Sequence, residues 1–273
     1  MERNGSADAR SPPQGGSRSV CGRNEARPPT LHTSMTTALA VGAALVALVL
    51  TMALTERWLE RRRRHEATWA LALALFVLGA ASLAWGSSNG WSTASFRAFY
   101  LFGAIVNVPF LAVGQLEFML RQDWVRRLRP ATALVAAFSA GVMATATFSR
   151  AVPTDRLAKG SDVLGVLPRV LAATCSGLGA VIVFAGTVMA TLRLRKGGRR
   201  RAAVGTACIA LGTAVLSSSG LLNAALGEMR AFSVTLTLGM VILFIGFVMA
   251  SSESATTTPN QDFTSAHAES LSR

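Results

Sequence analysis

The sequence has few charged residues for its length. Only 15% of its 273 residues are Asp, Glu, Lys or Arg, whereas a soluble domain carries about 25%. So few charges cannot cover a water-exposed surface, and 51% of the residues are hydrophobic, with a mean hydropathy of +0.41. This deficit predicts that lipid forms part of the solvent around the chain.

Residue types that carry specific chemistry are also scarce. The histidines, His32, His65 and His267, fall outside the apolar stretches, so the axial ligands of a haem-carrying bundle are missing. The last apolar stretch has no Lys to hold retinal, and the chain has no His-Glu-x-x-His motif and no phosphate-binding loop. Three cysteines without paired spacing predict neither a disulfide framework nor a metal site. We therefore expect no enzyme activity, no cofactor and no metal.

Seven apolar stretches divide the rest of the sequence. Each is long enough, at about 1.5 Å per residue, to cross a hydrocarbon core of about 30 Å. Backbone groups in lipid must bond to one another, so the stretches should be helices. The prediction is an all-α, seven-transmembrane-helix bundle over residues 35–251, with spans near 36–55, 67–87, 96–119, 131–149, 168–191, 202–223 and 231–251.

The loops between the stretches alternate in charge. The first, third and fifth loops are rich in Arg, and the other three hold fewer basic residues. Short basic loops stay in the cytoplasm, which predicts a plasma-membrane protein with its N-terminus outside and its C-terminus in the cytoplasm. We expect anionic lipid headgroups or an acidic partner to contact Arg61, Arg62, Arg63, Arg64, Arg126, Arg127, Arg199, Arg200 and Arg201. A net charge of +13 could indicate nucleic-acid binding. The basic residues, however, fall in short runs between apolar stretches, so we expect no nucleic-acid partner.

Both ends of the chain are polar. Residues 1–34 contain Gly, Pro, Ser and Arg without apolar periodicity, which predicts either a disordered tail or a segment upstream of a true start at Met35. Residues 252–273 are Ser/Thr-rich and predict a disordered cytoplasmic tail. That tail is too short for an output domain, so any signal would have to pass to a separate protein.

The first three and the last three stretches share a rhythm of matching segments. The matches are the basic clusters 61–64 and 199–201, the Ser/Gly runs 87–90 and 217–220, and the Arg-Ala-Phe triplets 97–99 and 230–232. A parallel 3+1+3 repeat would produce this rhythm, and the layout resembles that of SWEET-type sugar carriers. The motifs of those carriers and of the related PQ-loop proteins are absent, and alternating orientation alone explains the rhythm equally well.

The third stretch holds most of the polar side chains that fall inside the predicted membrane. Asn107 lies near its centre, and Pro109 should free the carbonyl of Ile105, one turn earlier. Together with Tyr100, Asn107 and Pro109 form a candidate polar pocket. The alternative is that Asn107 bonds a neighbouring helix and only supports packing.

Two further features concern the ends and faces of the spans. Glu117 is the one acid expected within a span, and it is predicted to form an interfacial ion pair with Arg121, four residues on. Pairs of small residues, Ala38 with Gly42 and Gly246 with Ala250 in the last stretch, permit close helix packing, either within the bundle or in a homodimer.

The run from Tyr100 to Pro109, Tyr-Leu-Phe-Gly-Ala followed by Asn-Val-Pro, resembles a segment of uncharacterised bacterial seven-helix integral membrane proteins. The resemblance covers one helix and the loop rhythm, and it implies a membrane bundle without a particular activity. Two functions follow as hypotheses. The first is a receptor-like or accessory membrane protein without its own output domain, acting with a membrane partner protein or a second copy. The alternative is a small-solute transporter with a polar site around Asn107.

Overall fold

The computed structural model describes residues 31–120, 123–155, 157–226 and 229–255. It is 87% helix, and the described residues form no strand; one isolated antiparallel bridge joins Phe148 to Leu164. Seven helices are long and apolar enough to cross a membrane, which confirms an all-α multi-pass bundle. Most of the two predicted tails, and Arg121, lie outside the described residues. The first helix begins at Leu31 and therefore includes the last residues of the predicted N-terminal tail.

The helices are numbered in chain order. Spans one and two are α1 and α2, span three combines α3, a π-helical segment and α4, span four combines α5 and α6, and spans five to seven are α8, α9 and α10. Their bounds are α1 Leu31–Arg61, α2 Arg64–Asn89, α3 Thr93–Phe99, the π segment Tyr100–Val106, α4 Asn107–Met119, α5 Asp123–Arg126, α6 Leu128–Thr145, α7 Gly160–Val163, α8 Val166–Lys196, α9 Arg200–Leu226 and α10 Met229–Ala255.

Six spans form a ring and the fourth lies outside it. Around the ring, α1 packs on α2, α2 on span three, span three on α8, α8 on α9, α9 on α10, and α10 on α1. Among the described residues, span four contacts mainly span three and α8, and only Ser139 and Met143 of α6 are buried. Apolar side chains such as Leu134 and Phe138 are exposed on its outer surface.

Small residues allow α1 to approach its neighbours. Its buried stripe begins at Ala40, Ala43 and Ala47 and continues through Leu50, with the spacing of three and four residues that keeps side chains on one helix face. Ala38 is exposed, and a Cβ added at Gly42 would meet nothing within 4 Å. Ala38 and Gly42 therefore make no close helix contact within the described chain, because the buried stripe runs along a different face of α1, and their use in a homodimer stays a prediction.

The fourth span ends earlier than the predicted boundary at residue 149. Its helix stops at Thr145, where the side chain of Arg97 donates a hydrogen bond of 2.8 Å to the carbonyl of Ala146. The Arg97 guanidinium also lies 5.2 Å from the ring centre of Phe148. A cation at a helix C-terminus satisfies carbonyls that the helix cannot, and hydropathy does not report such a cap.

Candidate functional site

The third span changes its helical register at the predicted pocket. Residues Tyr100–Val106 form a π-helix between two α-helical parts. A π register pairs each carbonyl with the amide five residues ahead, so the missing amide of Pro109 leaves the carbonyl of Ala104 without a backbone donor. The hydroxyl of Ser176, on α8, donates to that carbonyl. The Ala104 carbonyl precedes by one residue the Ile105 carbonyl that an α-helical spacing predicts to be free.

In the described part of the chain, the crevice beside the predicted pocket is lined by Pro109 but by neither Tyr100 nor Asn107. The Asn107 side chain is buried, and its Oδ1 accepts a hydrogen bond of 2.8 Å from the backbone amide of Val108. The Tyr100 ring stacks on Phe96 at 5.9 Å, about two helical turns from Asn107. Pro109 borders a crevice of about 10 Å³, roughly the space that one water needs. This part of the bundle is packed by its own side chains.

A cluster of buried charge lies at the other end of the third span, where α4 ends. The carboxylate of Glu117 receives a hydrogen bond of 2.9 Å from Nη2 of Arg129, and Nε of Arg129 lies 2.6 Å from Oε1. The hydroxyl of Thr68, on α2, donates to Oε2 at 2.9 Å. Arg129 also donates to the backbone carbonyl of Arg64. The predicted partner of Glu117, Arg121, lies outside the described residues, so that pair remains a prediction beside the observed one.

A second acid, Glu66, lies in the first turn of α2 and is 1% exposed. Its Oε1 is 3.4 Å from Nε of Arg57 on α1, and neither of its carboxylate oxygens has a hydrogen-bond partner among the described residues. The Arg57 guanidinium also lies 5.5 Å from the ring centre of Phe247 on α10. Glu117 is therefore not the only acid within a span. We name Arg57, Glu66, Thr68, Glu117 and Arg129 the charge cluster.

Aromatic side chains flank the charge cluster. The rings of His65 and Trp69 meet edge to face at 5.1 Å, and Phe118 packs against both, at 5.2 and 5.6 Å. A Cβ at Gly114 would be 2.4 Å from the Trp69 indole, so only glycine leaves room for that ring. The rings therefore pack α2 against α4 beside Glu66 and Glu117, which neighbour His65 and Phe118 in sequence.

The charge cluster brings the ends of several helices together. Its residues come from α1, α2, α4 and α6, and Arg57 extends the contact to α10. The Gln115 side chain fills the space at Gly186 of α8, where a Cβ would lie 2.6 Å from its Cγ. The first and third connecting segments therefore share one end of the bundle with the C-terminal halves of α8 and α10. We name this the basic end.

The basic end also carries the predicted surface arginines. Arg61, Arg62, Arg63, Arg64, Arg126, Arg127, Arg199, Arg200 and Arg201 are all exposed. Arg126 forms an exposed ion pair with Asp123 at 3.0 Å. These arginines lie on the surface of the basic end, whereas Glu66 and Glu117 of the charge cluster are buried.

The sequence alone indicates some members of the charge cluster but does not predict that they meet. Arg57 and Arg129 belong to the basic loops that set orientation, and Glu66 is an acid in a first helical turn, where the helix dipole favours it. Nothing in the local sequence places Glu66 inside the bundle, because its burial depends on which face of α2 meets α1.

The cluster joins carboxylates to arginines rather than to a ligand. Among the described residues, no group of three or more His, Cys, Asp or Glu side chains could hold a metal ion. Paired and partly buried charges of this type fix the relative positions of helices, and breaking one partner away is costly.

No protein-family model matches the chain, and a search of curated proteins finds no similar sequence.

Proposed function

We propose that this multi-pass membrane protein is of the receptor-like or accessory type, resides in the plasma membrane and has no output domain of its own. Its basic end faces the cytoplasm, where the exposed arginines contact anionic lipid headgroups or an acidic surface of a membrane partner protein or second copy. Neither catalysis nor a cofactor is part of this proposal.

The close packing at the centre of the third span is the observation that favours this function over solute transport. A site for a small molecule has a volume of about 300–1,000 Å³, whereas the crevice beside Pro109 has about 10 Å³. The Asn107 oxygen is already bonded to a backbone amide. The proposal therefore requires the centre of span three to be shielded from water, and thiol labelling of Asn107→Cys separates it from a carrier.

Transport remains the second candidate because of the π segment. Such segments in α-helices are frequent at functional sites, and the fourth span lies outside a ring of six, as the connector of a parallel 3+1+3 repeat would. In such a repeat, span one corresponds to span five (α8) and span three corresponds to span seven (α10). The observed contact of span three with α8 then matches the observed contact of α10 with α1. A carrier would have to open a polar path at Asn107 that the packed arrangement closes.

The proposed orientation predicts a sided labelling pattern. In a background with Cys21, Cys175 and Cys208 replaced by Ser or Ala, Arg127→Cys at the basic end should react with a membrane-impermeant maleimide only after intact cells are permeabilised. Ser161→Cys, exposed in the segment between α6 and α8, should react without permeabilisation. The reverse pattern would place the basic end outside and overturn the proposed cytoplasmic contact.

A further inference from the structure

The helices α8 and α9 leave an apolar groove between them on the outer surface of the bundle. The groove has a volume of about 280 Å³. Its walls include Phe184, Val188 and Leu192 from α8, and Ala207 and Leu211 from α9. Phe184, Leu192 and Leu211 are each about half exposed, so their side chains face the lipid in a membrane.

The groove runs along much of one leaflet. Its α8 wall extends from Phe184 to Leu192, which corresponds to about 12 Å at 1.5 Å per residue. One leaflet contributes about half of a hydrocarbon core of about 30 Å. The length and the apolar walls suit one extended acyl chain lying parallel to the helices.

Basic side chains lie at the end of this groove nearest the basic end. On α8, Arg195 and Lys196 follow Leu192 by three and four residues, which places them on the face of the groove wall. On α9, Arg200 precedes Ala207 by about two helical turns and lies on that wall's face. All three basic side chains are exposed, and in the described part of the chain they make no ion pair.

We name the end of the groove beside Arg195, Lys196 and Arg200 its basic mouth. No acidic residue of α8 or α9 neutralises the positive charge there. The sequence from Val163 to Gly227 contains neither Asp nor Glu. Three arginines elsewhere at the basic end have acidic partners: Arg57 contacts Glu66, Arg126 contacts Asp123, and Arg129 contacts Glu117. The α8–α9 turn is therefore a site where an anionic group from outside the chain would supply the missing negative charge.

We propose that this groove and its basic mouth bind one anionic phospholipid. An acyl chain occupies the groove, and the headgroup phosphate lies against Arg195, Lys196 and Arg200. This inference rests on the proposed contact between the basic end and anionic headgroups, and it names the ligand and the place where it binds. Basic side chains near a membrane surface attract anionic lipid, and arginine forms strong hydrogen bonds with phosphate oxygens.

Native mass spectrometry of the purified full chain tests this proposal, with phosphatidylglycerol as the anionic probe and phosphatidylcholine as the neutral one. The wild-type protein should retain one phosphatidylglycerol at least about tenfold more strongly than phosphatidylcholine. The triple variant Arg195→Gln, Lys196→Gln, Arg200→Gln should lose that preference. Ala207→Phe, which fills the groove from an exposed position, should weaken retention at least about tenfold, because the acyl chain loses its place.

Two matched controls separate this site from general surface charge and from added bulk. The triple variant Arg150→Gln, Lys159→Gln, Arg169→Gln removes the same charge away from the proposed headgroup contacts, and Ala137→Phe adds the same ring on an exposed face of α6. Both should retain phosphatidylglycerol as the wild type does. Equal loss in the controls, or undiminished retention in the groove variants, would overturn the proposal.

The same spectra report a second copy as the alternative occupant. A wild-type dimer that Ala207→Phe converts to monomers, without a change in lipid retention, would assign the groove to an interface and overturn the lipid site.

The proposed membrane orientation and the proposed lipid site can fail independently of each other. A basic end found outside in the labelling experiment overturns the proposed function, while the lipid measurement is made in detergent and does not depend on sidedness.

Discussion

Replacement of Glu117 by Ala is expected to lower the free energy of unfolding by about 3 kcal/mol. The Glu117 side chain is 7% exposed, and it accepts hydrogen bonds from Arg129 and Thr68. Without it, the Arg129 guanidinium, whose side chain is 34% exposed, keeps its charge in a partly buried place and has lost its carboxylate. Unfolding of the purified protein in a neutral detergent, followed by tryptophan fluorescence, measures this loss.

The exposed pair at the same end supplies the control for Glu117. Asp123 is 93% exposed and lies 3.0 Å from Arg126, so Asp123→Ala should change stability by less than about 0.5 kcal/mol. Replacing Glu117 and Arg129 together by Leu removes both charges and should recover most of the loss. If Glu117→Ala is no more destabilising than Asp123→Ala, the charge cluster does not hold the helix ends together.

Replacement of Gly212 by Ala should destabilise the bundle by about 2–3 kcal/mol. A Cβ at this position of α9 would lie 2.8 Å from the backbone nitrogen of Leu243 and 2.9 Å from the carbonyl oxygen of Gly239, both on α10. Backbone atoms cannot rotate away as side chains do, so the two helices would have to separate along their contact. Thermal unfolding in detergent and the yield of folded protein both report the effect.

Gly177→Ala is the matched control for this prediction. Gly177 lies within α8, and a Cβ there would meet nothing within 4 Å. Alanine is the better helix former, so this variant should be as stable as the wild type or more stable by up to about 1 kcal/mol. Equal stability of the Gly212→Ala and Gly177→Ala variants would show that α9 and α10 are not in backbone contact.

Composition predicts the spans well because crossing a membrane depends on the sum of many apolar side chains. The all-helical fold and the seven spans follow from that sum and are confirmed. The fourth helix ends at Thr145, four residues before the approximate boundary given by hydropathy, and Arg97 caps that end through a tertiary hydrogen bond. Orientation and the 3+1+3 repeat stay predictions.

Close packing depends on which face of a helix meets its neighbour, and small residues alone do not reveal that face. Gly246 confirms the predicted close packing, since a Cβ there would lie 2.7 Å from the carbonyl oxygen of Gly205. Gly42 has equal sequence support and points into open space. For the same reason the sequence does not predict the burial of Glu66, which depends on the packing of α2 against α1 and not on its neighbours in sequence.

At the candidate pocket, the local sequence does not predict the helical register or the hydrogen-bond partners. Asn107 and Pro109 stand out in the sequence as an amide and a proline near the middle of a span, and a pocket around them stays a prediction. The structure adds a π segment at Tyr100–Val106 and a hydrogen bond from Ser176 of α8 to the carbonyl of Ala104. Neither the register nor that partner has a signal in the local sequence.

Thiol labelling at the centre of the third span tests the central claim most directly. With Cys21, Cys175 and Cys208 replaced by Ser or Ala, the Asn107→Cys variant is exposed to membrane-impermeant maleimide from each side separately, and Ser161→Cys serves as the reactive control. Because Asn107 is buried among packed helices, we expect no labelling from either side in folded protein. Rapid labelling of Asn107→Cys in protein that remains folded would show that water reaches mid-membrane, and it would contradict the packed interior in favour of a carrier.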